Sequence, residues 1–86
     1  MSVNKTKLHK RIVALLKECQ DEARENGTIP VTDTLEMSCY DVAGILGVEI
    51  EHIVEVAYEA DDLDLGETIY GLDQSVPTVS LYRGAH

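Results

Sequence analysis

Between Leu8 and Ala23 the apolar residues Leu8, Ile12, Leu15, Leu16, Cys19 and Ala23 recur three and four positions apart, which places them on one face of a helix. The pattern predicts a helix over 5–26, stopped by Asn26-Gly27, where glycine adopts a left-handed conformation without steric cost. Thr28 to Thr32 is short and β-prone, with Pro30 suited to an edge strand, and Asp33-Thr34 turns the chain. Ser38 followed by Asp41 has the form of a helix start, and the short helix it opens ends near Gly47. Val48 leads into a longer helix, predicted over 49–63, with Ile50, Ile53, Ala57, Ala60 and Leu63 turned inward and Gly66 closing it. The period then becomes alternating. Residues 68–72 read as a strand, 73–77 as a turn, 78–83 as the returning strand and 84–86 as a frayed end. The expectation is one α+β domain spanning 1–86, in the order α-β-α-α-β-β.

With 86 residues the chain holds one domain. Its 44% hydrophobic content is ordinary for a globular protein, but there is no Phe or Trp, so the core is built from Ile, Leu, Val and Ala. A domain of this size buries only about 60% of its unfolded surface, and a homodimer is a natural way to bury more. No apolar run approaches the roughly 20 residues that cross a bilayer. The N-terminal region is basic like a signal peptide, but its apolar run, Ile12 to Leu16, is short and ends at Lys17-Glu18. The expected location is the cytoplasm, with no membrane partner, and Cys19 and Cys39 are expected as reduced thiols.

Charge sharpens the picture more by its distribution than by its total of -9. Lys5, Lys7, Lys10, Arg11 and Lys17 precede every acid, so residues 1–17 carry +5. From residue 18 onward, 16 acids stand against Arg24 and Arg83 alone, which gives -14. The first helix also runs against its own dipole, with lysines at the start and Asp21, Glu22 and Glu25 at the end. Something else must use those lysines: the acidic remainder of the chain, a second copy, or an anionic partner.

Residues 41–58, DVAGILGVEIEHIVEVAY, resemble a helix-turn-helix. Val42, Ala43 and Leu46 match the inner face of its first helix, Gly47 the turn, Val48 the corner plug, and Ile53 and Val56 the anchors of its second helix. With the hairpin as a wing, residues 38–83 resemble the winged helix-turn-helix superfamily. The resemblance divides the chain into an N-terminal helix (5–26), the helix-turn-helix (38–65) and a β-hairpin wing (68–83). It also implies a second helix that reads the major groove of DNA.

The residues on that helix depart from the implied function. Readers of DNA present Ser, Thr, Arg, Lys, Gln or Asn there, whereas this chain presents Glu49, Glu51, His52, Glu55 and Glu59, followed by Asp61, Asp62 and Asp64. Duplex DNA carries one negative charge per about 1.7 Å of axis, so this face is repelled. The expected role is protein–protein contact through Glu49, Glu51, His52, Glu55, Glu59 and Asp62. A solvated acidic face without a partner is the plainer alternative. An acidic mimic of DNA, occupying the site of a nucleic-acid-binding protein, is another. A transcriptional regulator remains a further reading, touching DNA through Lys5, Lys7, Lys10, Arg11 and Lys17 or through a dimer surface. Against it stands neutralisation of the acidic helix by those same cations, in the same chain or a dimer mate.

Catalysis finds no support. His9, His52 and His86 are scattered, and neither a nucleophile motif nor a phosphate loop is present. The spacing of His9, Cys19, Cys39 and His52 fits no zinc finger, and residues 61–67 lack the spacing of a calcium loop. The chain is expected to be a non-enzyme without cofactor or metal.

Overall fold

The computed structural model describes residues 4–70 and 74–82. Helix α1 spans Lys5–Glu25 and buries Leu8, Ile12, Leu16 and Gln20. Asn4 caps its start, its side-chain oxygen accepting from the Lys7 amide at 3.1 Å. Gly27 follows the other end at φ 74°. Leu15, Cys19 and Ala23 are only half-buried, and Gln20 takes the interior position instead.

The strand expected over 28–32 does not form. Those residues fold back on the helix end: the Thr28 amide donates to the Ala23 carbonyl at 2.8 Å, and the Asp33 amide to that of Pro30 at 3.0 Å. Arg24 donates from Nε and Nη2 to the Asp33 carbonyl, at 3.2 and 2.7 Å. Gln20 Oε1 accepts from the Leu35 amide at 3.0 Å. With this backbone held in turns, the first strand, β1, is displaced to Met37–Ser38.

Helix α2, Cys39–Leu46, begins as expected: the Ser38 hydroxyl accepts from the Tyr40 amide at 3.1 Å. It ends at Gly47, which is left-handed at φ 71° and turns the chain toward α3, Ile50–Glu59. The expected continuation to Leu63 is wrong. Ala60 is extended (φ -83°, ψ 135°), and Asp61-Asp62 turn the chain into β2, Leu63–Tyr70. A longer helix would have placed Asp61, Asp62 and Asp64 at its negative C-terminal end. Gly66 is therefore no helix stop. It lies within β2 opposite Thr78, where a Cβ would come within 3.1 Å of the Thr78 hydroxyl.

β3 runs Gln74–Leu81, so the turn expected over 73–77 is mostly strand; Asp73 and Arg83 lie outside the described residues, as do residues 84–86. The sheet is antiparallel in the order β1-β3-β2, with Leu63 opposite Leu81 and Glu67 opposite Pro77. The Tyr82 amide donates to the Asp62 carbonyl at 2.9 Å, which makes 62–82 a hydrogen-bonded pair. Counting by twos, Glu67–Pro77 is a non-hydrogen-bonded pair, so the missing N–H of Pro77 faces away from β2. β1 reaches only to the pair of Ser38 with Thr78 and leaves that side open, which is how a proline fits inside β3.

The core joins all the longer elements: Leu8, Ile12 and Leu16 from α1, Cys39, Val42 and Ala43 from α2, Ile53, Val56 and Ala57 from α3, Leu63 from β2 and Val79 from β3. Leu46 and Val48 pack against it, half-buried. The architecture is α+β, three helices and a three-stranded sheet, in the order α-β-α-α-β-β. Among the described residues no helix is long and apolar enough to cross a membrane.

Candidate interaction surface

Burial of Ile53, Val56 and Ala57 fixes the rotation of α3 and turns Glu51, Glu55, Tyr58 and Glu59 outward. Glu49 sits at the N-cap, exposed and without a side-chain capping bond. Glu51 lies in the first turn, where the helix dipole favours an acid; Glu59 lies in the last, where it does not. His52 is half-buried, and Asp62 is exposed in the turn after the helix.

α1 crosses this acidic flank. Lys5 Nζ lies 2.5 Å from Glu55 Oε1 and 3.4 Å from Glu59 Oε1. The hydrogen bond from Lys5, then its charge, holds the Glu55 carboxyl below its ordinary value; the same bond raises Lys5. One turn along α1, His9 Nε2 is 2.7 Å from Asp62 Oδ1. Arg11 donates to the Leu46 carbonyl at 3.1 Å, covering an acceptor left open at the end of α2. Lys7, Lys10 and Lys17 are exposed and form no ion pair among the described residues. The five N-terminal cations thus divide. Lys5 and Arg11 serve the fold of this chain, and three lysines face solvent on the outer side of α1.

The opposite flank of α3 is apolar. Val54 is half-buried and Tyr58, four residues on, is 82% exposed. Beside it runs an open groove of about 320 Å³ lined by Val54, Leu65, Gly66, Glu67 and Pro77. The hairpin forms the other wall, because Leu63, Leu65, Glu67 and Ile69 share one face of β2 and Leu63 places that face on the core. Ile69, toward the hairpin tip, is 72% exposed.

Sequence reasoning missed three of these features. His9 reads as isolated, because its partner lies 53 positions away. Tyr58 is absent from the expected contact residues, although Val54 and Tyr58 stand at helical spacing beside Glu51 and Glu55. The groove depends on a strand start that the sequence places five residues late. Among the described residues no group of three or more His, Cys, Asp or Glu side chains has a metal-holding arrangement. Comparison with protein-family models, with curated proteins and with solved structures gave no match.

Proposed function

We propose that this chain is a non-catalytic binding module on a winged-helix scaffold, and that it acts by protein–protein contact through the acidic face of α3. The scaffold reading is supported by the helix-turn-helix frame of α2, Gly47 and α3, and by a hairpin whose second strand pairs with the short strand before α2. In that scaffold α3 occupies the place of a recognition helix.

One observation carries the functional reading. The helix in the reading position exposes Glu51, Glu55, Glu59 and Tyr58, and no Lys or Arg occurs between residues 25 and 82. Such a face repels phosphates and suits a basic surface of another protein. If that partner itself binds nucleic acid, the carboxylates of α3 stand in for phosphates.

Charge reversal at Glu49 and Glu51, both to Lys, tests the reading and leaves Lys5 with its partners. Capture of partner proteins from cell extract is expected to be abolished while the circular dichroism spectrum is unchanged. Capture that survives the reversal removes this face as the site.

A second reading rests on Lys7, Lys10 and Lys17, exposed and without ion-pair partners among the described residues: a DNA-contacting regulator that uses the outer side of α1. Fluorescence anisotropy with random-sequence duplex DNA at low salt separates the two. The protein-contact reading expects no binding. Binding whose log-log salt slope falls by about 3 on replacing the three lysines with Ala establishes the second reading instead.

A further inference from the structure

We infer that the free edge of β2, together with the groove between it and α3, receives an extended segment of a partner protein in which Lys or Arg alternates with apolar residues. The inference deepens the protein-contact reading and rests on it.

The backbone supplies the template. Among the described residues no strand pairs with the outer edge of β2. The Tyr82 amide donates to the Asp62 carbonyl, and by the alternation of the antiparallel ladder Asp64, Gly66 and Thr68 direct their amides and carbonyls at β3. Those of Leu65, Glu67 and Ile69 point outward. Three residues in a row of alternation therefore offer a donor and an acceptor each, and strand addition uses this arrangement.

The side chains supply the selectivity. A strand laid on that edge would turn every second side chain toward the flank of α3. There it would meet the groove formed by Val54, Leu65 and Pro77, with Tyr58 and Ile69 exposed beside it. Apolar side chains fit those positions. The intervening side chains would turn to the other face, where Asp64 is exposed and suits a cation.

The same charges argue against a second copy as occupant. Each chain carries -9, and pairing two β2 edges would bring Asp64 and Glu67 of both copies together. A charge such as Glu67 on an edge strand is a usual guard against self-pairing. The same acidic charge attracts a basic strand to the edge.

The test uses the full chain and a fluorescein-labelled ten-residue peptide alternating lysine with valine, in three forms: unmodified, N-methylated at the valines, and N-methylated at the lysines. An added strand has only one set of amides facing β2. One methylated peptide is therefore expected to lose at least tenfold in affinity, while the other binds like the parent. Amide hydrogen exchange at Leu65, Glu67 and Ile69 is expected to slow in the complex. Equal affinities for the two methylated forms, or unchanged exchange at these amides, overturn the strand-addition proposal. Failure of the parent peptide to bind at low salt overturns it as well. If binding persists but perturbs only Glu51 and Glu55, strand addition fails and contact through the α3 face stands. The Glu49 and Glu51 reversal judges that broader reading separately.

Discussion

Lys5 bridges Glu55 and Glu59, which lie one turn apart on α3, so the first turn of α1 is tied to the last turn of α3. Each helix end carries charge of the sign its own dipole disfavours, and the contact offsets both. The pH dependence follows from the shifts. Glu55 titrates below its ordinary 4.5 in the folded state, so its contribution is present above that value and lost as pH falls through the lowered one. Lys5 titrates above 10.5, so its contribution is present below that value and lost as pH rises beyond. Lys5→Met is therefore expected to be less stable than the parent at neutral pH and to converge with it in acid below the Glu55 titration. In the same variant, NMR titration of the Glu55 carboxyl carbon is expected to move its midpoint up to the ordinary range. An unmoved midpoint would remove the bridge from solution.

Arg11 and its lysine neighbours are expected to separate in thermal melts. Arg11→Ala uncovers the Leu46 carbonyl at the end of α2 and is expected to cost about 0.5–1 kcal/mol. Replacing Lys7, Lys10 and Lys17 together leaves every described contact in place and is expected to change stability by no more than about 0.5 kcal/mol per site. A large loss in the triple variant would mean that these lysines have partners within the fold.

Gln20 is the polar residue in the buried row of α1, and its amide oxygen is the acceptor for the Leu35 amide at 3.0 Å. Gln20→Leu fills similar volume but leaves that N–H without a partner. Denaturant unfolding is expected to show a loss of about 1–3 kcal/mol, despite the gain in hydrophobicity. If the leucine variant is more stable than the parent, water supplies the missing acceptor.

The two thiols are expected to differ in reactivity. Cys39 is fully buried in the core, and burial pushes its thiol up to about 11. Cys19 is free and half-buried. At pH 8 an alkylating reagent is expected to modify Cys19 at least tenfold faster, with Cys39 reacting only through unfolding. Mass spectrometry of a time course reads both sites, and equal rates would contradict the burial of Cys39.

What the sequence disclosed followed the strength of its periodic signals. Leu8, Ile12 and Leu16 repeat over several turns, and Ser38 and Gly47 mark the start and stop of α2, so those elements were legible. β1 is two residues long and has no period to read. The start of β2 was hidden because Asp61, Asp62 and Asp64 continue the acidic character of α3, although Leu63 and Leu65 already alternate. Pro77 reads as a turn residue, because its tolerance in β3 depends on β1 ending at Ser38. At the candidate surface the segregation of charge was visible from the start. Which cations meet which acids was not, since the contacts of Lys5 with Glu55 and of His9 with Asp62 join positions about fifty residues apart.

The position of Pro77 makes the sheet unequal at its two margins. On the β3 side a donor is missing where β1 ends, and β1 itself covers the root of the strand. On the β2 side the hydrogen-bonding row from Leu65 to Ile69 is intact. The β2 margin thus offers the longer unbroken row of donors and acceptors, and on the β3 margin the missing N–H of Pro77 interrupts the row just where β1 ends, so an added strand is favoured on the β2 side.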